Sequence, residues 1–106
     1  MKKIRGYIFS RPFMGERAPQ HVQNIVIKDF CKSNSLEYLL SVSEYKMEDS
    51  FLILNDLIKK MKKIDGIVAY SLFQLPPDNE NRNRILEKII KNKKFICFAV
   101  EKIIVS

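Results

Sequence analysis

The sequence predicts a three-layer α/β domain: a short parallel sheet in the order 2-1-3-4, flanked by helices. Two observations carry this reading. Apolar runs of strand length alternate with segments whose apolar residues recur at helical spacing. Strands that alternate with helices imply right-handed β-α-β crossovers and a sheet covered on both faces. With 106 residues, 46% of them hydrophobic, the chain suits a single domain over 1–106, with no need of a disulfide or structural metal to hold its core.

The first strand runs from Lys3 to Ser10 through Ile4, Tyr7, Ile8 and Phe9, and stops at a loop holding Arg11, Pro12, Gly15 and Pro19. From Pro19 to about Ser33, Val22, Ile25, Val26 and Phe30 fall on one helical face, and Pro19 suits a first turn. Leu36 to Val42 forms the second strand. Asp49 or Ser50 then caps a helix with Phe51, Leu54, Leu57, Ile58 and Met61 on one face and Asn55, Asp56, Lys59, Lys62 and Lys63 on the other. Ile67 to Tyr70 forms the third strand, ended by Pro76-Pro77. Asp78 caps a third helix running to about Asn92, with Ile85, Leu86, Ile89 and Ile90 inward, and Phe95 to Val100 forms the fourth strand. The apolar tail from Lys102 to Ser106 either extends that strand or starts a further segment.

Net charge is +7 and the isoelectric point about 9.5, a balance that invites a nucleic-acid partner. The cations are spread over the outer faces and ends of two amphipathic helices, however, so a solvated face is the expected reading and nucleic acid is not the expected partner. Cys31 and Cys97 lie in apolar-periodic segments without ligand spacing and read as buried free thiols, which suits a reducing cytoplasm. The basic N-terminus is followed by too short an apolar stretch for a signal peptide, and no segment reaches the length of a membrane span. A possible free sheet edge and apolar helix surfaces favour a homo-oligomer.

In open parallel sheets, ligands bind beyond the carboxyl ends of the strands, where strand order reverses. The residues expected there are Ser10, Arg11 and Arg17 after strand one, Gln20, His21 and Asn24 at the start of the first helix, Glu44 and Tyr45 after strand two, and Tyr70, Ser71 and Gln74 after strand three. Such a set suits an anion, with Arg11 or Arg17 as a bidentate clamp and the helix start adding N–H groups. Ser10, His21 and Ser71 are the catalytic candidates: His21 could carry a proton near neutral pH, while Ser10 could attack or merely donate. Arg11, Arg17, Gln20, Asn24, Glu44, Tyr45, Tyr70 and Gln74 are the binding candidates. The alternative reading makes Ser10 a turn residue, His21 a solvated helix residue, Glu44 a capping carboxylate and Tyr70 a core ring. No Gly-rich phosphate loop, metal motif or nucleophile elbow occurs, so no cofactor or metal is expected.

Two resemblances to known families follow. Gly6-Tyr7 and Ile67-Val68-Ala69-Tyr70-Ser71-Leu72 resemble the first and third core strands of the serine recombinase (resolvase) catalytic domain. This implies that family's fold but not its chemistry. Phe9 stands where the family has an arginine, Arg11 where it has the nucleophilic serine, Phe73-Gln74 where it has an Asp-Arg pair, and Pro77 where it has another arginine. Over nearly the whole length, Arg5 to Arg11, Gly15, Pro19 to Asn24, Asp29-Phe30-Cys31 and Tyr70 to Pro76 resemble the sporadic carbohydrate cluster protein family. That resemblance implies a place in bacterial surface carbohydrate (lipopolysaccharide or capsule) biosynthesis. The leading expectation is an enzyme or enzyme subunit acting on a phosphorylated, nucleotide-linked or acidic sugar. The rival is a non-catalytic sugar- or phosphate-binding or regulatory module on a recombinase-like fold.

Overall fold

A strand buried on both sides needs a nearly continuous apolar run, and Ile4 to Phe9 supplies one at the centre of the sheet. In a computed structural model, which describes residues 1–11, 18–47 and 50–106, the elements are β1 (Lys2–Phe9), α1 (Gln20–Ser33), β2 (Leu36–Glu44), α2 (Leu52–Lys59), β3 (Gly66–Ala69), α3 (Asn79–Lys91), β4 (Phe95–Phe98) and β5 (Ile103–Val105). Short 3-10 turns at Met61–Lys63 and Leu72–Gln74 follow α2 and β3.

The sheet order is β2-β1-β3-β4-β5. The first four strands are parallel, as the α/β reading requires, while β5 pairs antiparallel with β4. The apolar tail therefore does not prolong the fourth strand but forms a strand of its own. The chain turns between Phe98 and Ile103, with Lys102 in the left-handed region at φ 56°, and comes back along β4.

α1 covers one face of the sheet, where Ile27, Phe30 and Cys31 pack with Ile4, Ile8, Val68, Cys97 and Ala99. α2 and α3 cover the other, where Leu54, Leu57, Ile58, Ile85 and Ile89 pack on Tyr7, Phe9, Ile67, Ile96 and Phe98. The buried stripe of α1 is Gln23, Ile27, Phe30 and Cys31, whereas Val22 and Ile25 are exposed. The apolar face expected from the sequence is thus rotated, because a polar side chain, Gln23, takes a core position. On α3, Ile90 is likewise exposed while Ile85 and Ile89 are buried.

The expected caps divide in the same way. Asp78 caps α3 by accepting from the Asn81 N–H. Ser50 does not cap α2, whose N-cap position is Phe51 with no side-chain cap. Asp49 lies outside the described residues.

Between β1 and β2 the register shifts past Arg5, where Arg5 lies opposite Leu39 but Tyr7 lies opposite Val42. The extra β2 residue brings Ser41 against Gly6, where a Cβ would lie 2.1 Å from Ser41 Oγ and 3.1 Å from its Cβ. Gly6 is the residue type that admits this bulge. Gly6→Val should lower unfolding stability by about 1–3 kcal/mol. In a Ser41→Gly background the loss should shrink, as a urea-denaturation cycle would show.

Burial pushes the Cys31 thiol up to about 11 and the Cys97 thiol, with Cys31 beside it, up to about 12. Both thiols are free and buried. At about pH 8, where a free thiol is partly ionised, iodoacetamide should label neither in the folded chain and both in urea. Native labelling at the unfolded rate would contradict this burial.

Candidate functional site

At the carboxyl ends of β1 and β3, two glutamine side chains bond to the backbone of Phe9, Tyr70 and Ser71. Gln23 on α1 is fully buried. Its Nε2 donates to Phe9 O and Ala18 O, both at 2.8 Å. Its Oε1 accepts from Phe9 N at 2.9 Å and from Gln74 Nε2 at 2.8 Å. Gln74 Oε1 in turn accepts from Tyr70 N at 3.1 Å and Ser71 N at 3.4 Å. Two side-chain amides thus tie α1, β1 and the turn after β3 together.

Ser71 opens that turn. Its Oγ accepts from Phe73 N at 3.2 Å and donates to Glu101 Oε2 at 2.8 Å, while Glu101 Oε1 accepts from Leu72 N at 2.8 Å. Glu101 stands in the turn between β4 and β5, so its carboxylate fastens the terminal hairpin to the end of β3.

A second cluster lies at the end of β2. Glu44, 2% exposed, accepts four hydrogen bonds. Tyr7 Oη and Leu54 N donate to its Oε1 at 2.8 and 3.1 Å, and Ile53 N and Tyr45 N donate to its Oε2 at 3.0 and 3.2 Å. It thereby supplies the amino-terminal cap that α2 lacks in its own sequence, and a carboxylate there also suits the helix dipole. Burial, with the Glu44 carboxylate beside it, pushes the Tyr7 phenol far above its ordinary range.

Arg11 is buried as well. Its guanidinium carbon lies 4.1 Å from the Phe9 ring centre and 5.2 Å from that of Phe51, and its Nη1 donates to Tyr45 O and Met47 O at 2.8 Å each. Ser10 Oγ donates to Glu44 O at 3.1 Å.

The residues expected at the strand ends therefore form two groups. Ser10, Arg11, Glu44 and Tyr45 meet at the β1–β2 end, whereas Tyr70, Ser71 and Gln74 meet after β3. Gln20 Nε2 donates to Ser43 Oγ at 3.3 Å, and Tyr38 Oη donates to Asn24 Oδ1 at 3.3 Å. His21 is exposed. Arg17 lies outside the described residues.

Glu44 and Arg11 are engaged as the helix cap and as the strut of the loop after β2, rather than facing open solvent. Gln23 and Glu101 carry no periodic signal in the sequence, since a polar residue that bonds to distant parts of the chain adds nothing to such a pattern. The one available sign was the place of Gln23 inside the Pro19–Asn24 motif. Among the described residues, no group of three His, Cys, Asp or Glu side chains could hold a metal ion.

Two solved structures share this fold. A resolvase family site-specific recombinase from Streptococcus pneumoniae superposes with a TM-score of 0.69 at 14% identity, covering 95% of this chain and 75% of that one. The N-terminal catalytic domain of TP901-1 integrase does so with a TM-score of 0.69 at 16% identity, covering 94% of this chain and 80% of that one. At these identities the likeness is one of fold. No family model and no curated protein sequence matches the chain.

The glutamine bridge sets a measurable expectation. Gln23→Leu leaves the Phe9 N–H and C=O and the Gln74 amide without their partner, so urea unfolding should show a loss of about 2–4 kcal/mol. Gln74→Leu added to it should cost less than Gln74→Leu alone, because the two amides share one bond.

Proposed function

We propose that this chain is a non-catalytic module that binds a phosphorylated or nucleotide-linked sugar on a recombinase-like fold. The observation that carries the non-catalytic part is the internal use of both candidate serines and of the glutamine amides at the strand ends. Ser10 donates to a backbone carbonyl, Ser71 to Glu101, and the Gln23 and Gln74 amides to each other and to strand ends. The positions that resemble the recombinase motif fit the same reading: Phe9 is core and Arg11 holds the loop after β2. In this reading strand exchange is absent, since Phe9 and Arg11 stand where the recombinase motif has its arginine and its nucleophilic serine.

The sugar class and a role in surface carbohydrate biosynthesis rest on the sequence motif from Arg5 to Arg11 and Tyr70 to Pro76. In this reading the module acts in the cytoplasm as a homo-oligomer, with the exposed Val22, Ile25, Val100 and Ile104 available for association. Among the described residues, no helix is long and apolar enough to cross a membrane.

The enzymatic reading would need Ser10, His21 and Ser71 to converge on a substrate, and the two serines are held in separate clusters. The test is a thermal-shift screen with sugar phosphates, nucleotide sugars and acidic sugars, followed by a turnover assay on each compound that binds. A ligand at about 100 times its Kd should add about 2.7 kcal/mol of stability, with no product formed. Turnover of a bound compound would restore the enzyme, and the absence of any shift would sink the binding reading.

A further inference from the structure

A cavity of about 680 Å³ opens between the amino-terminal ends of α2 and α3, beside Pro76 and Pro77. Its volume falls in the range of small-molecule sites, about 300–1,000 Å³. Its lining combines three kinds of surface. Phe51 and Ile85 give an apolar floor, Asn55 and Asn81 give amides, and Arg84 and Lys88 give two cations. The two cations stand four residues apart on α3 and so share one helix face.

A second observation at the same place is independent of this lining. Ser50 also lines the cavity, and its Oγ is the buried side-chain polar atom without a hydrogen-bond partner among the described residues. Buried hydroxyls in native proteins are almost always paired, so an orphaned one at a cavity wall marks a place where a partner group is missing.

The charges at the rim are available. Arg84 is linked to Glu80 at 3.3 Å by an exposed pair, which costs little to break. Lys88 has no ion pair among the described residues. The Asp78 carboxylate, held below the usual carboxylate range by its hydrogen bond from the Asn81 N–H, is already engaged in capping α3.

We infer that this cleft binds a phosphate monoester carried on a compact polyhydroxylated ring, with Arg84 and Lys88 on the phosphate, Phe51 and Ile85 under the ring, and Ser50 and Asn81 toward its hydroxyls. The inference rests on the binding reading above and gives it a location away from the glutamine-bridged strand ends. The two cations select the phosphate, the floor accepts the C–H face of the ring, and the amides and the orphaned hydroxyl match its oxygens.

The test is a ¹H–¹⁵N NMR titration with glucose 1-phosphate, inorganic phosphate and glucose on the wild-type chain, on Arg84→Ala/Lys88→Ala and on Ser50→Ala. Both cations are exposed, so the double variant should keep the dispersed spectrum of the folded chain. Glucose 1-phosphate should perturb the Ser50, Phe51 and Asn81 amides and bind at least about tenfold more tightly than phosphate or glucose, and the double variant should weaken it by about tenfold or more. Ser50→Ala should weaken it by a smaller factor.

Perturbations confined to Ser10, Tyr70 and Ser71, with affinity unchanged in the double variant, would overturn the cleft and leave the binding reading standing. Equal affinity for inorganic phosphate would overturn the role of the ring. Silence with all three probes, together with a thermal-shift screen in which nucleotide sugars and acidic sugars are also silent, would overturn the binding reading and the cleft with it.

Discussion

A parallel strand that ends inside a domain leaves an N–H and a C=O that its ladder no longer satisfies, and burying them unpaired is costly. In this fold the Gln23–Gln74 bridge brings two side-chain amides to the backbone at the carboxyl ends of β1 and β3. Much of the surrounding structure follows from that bond. Gln23 must face the core, which sets the rotation of α1 and turns Val22 and Ile25 out to solvent. Gln74 must reach back to Tyr70 N, which requires the tight 3-10 turn after β3. Ser71 and Glu101 then secure the other side of the same turn and anchor the hairpin that ends the chain.

The β2 end solves a related problem with charge. A short helix entered without a capping residue of its own exposes N–H groups, and a carboxylate is their natural acceptor. Glu44 supplies it from a neighbouring strand, with Tyr7 Oη bound to the same carboxylate from the core side. Arg11 holds the following loop by its carbonyls and rests on two aromatic rings. Glu44 and Arg11, residue types that suggest an acid and an anion clamp in a sequence, here hold a helix start and a loop in place. A fold shared with resolvase family catalytic domains can persist on such bonds, because the sheet and its crossovers depend on apolar alternation rather than on reactive groups.

Glu44, Arg11 and the two glutamines are engaged in structural bonds at the strand ends, and a cavity lies on the flank of the sheet. The cavity between α2 and α3 is bounded by helix starts and a double proline, elements placed by β2 and β3 at the carboxyl edge. Its cations come from α3 positions that the sequence reading assigned to a solvated face. That assignment was sound for a helix considered alone, since Arg84 and Lys88 are exposed. What gives them a second use is the neighbouring helix, which is invisible to periodicity.

The sequence by itself determined the α/β class, the parallel order of the first four strands, the Asp78 cap and the burial of both cysteines, because each depends on local apolar spacing or on one residue at one position. Tertiary structure alone decided the rest. Gln23 became a core residue because two strand ends needed an amide between them, and Glu44 became a cap because α2 starts beside β2. The tail turned back as β5 because β4 offered an open edge, and a cleft formed where two helix starts meet. Each of these joins residues far apart in the chain, and a pairing between distant residues leaves no period for a linear reading to find.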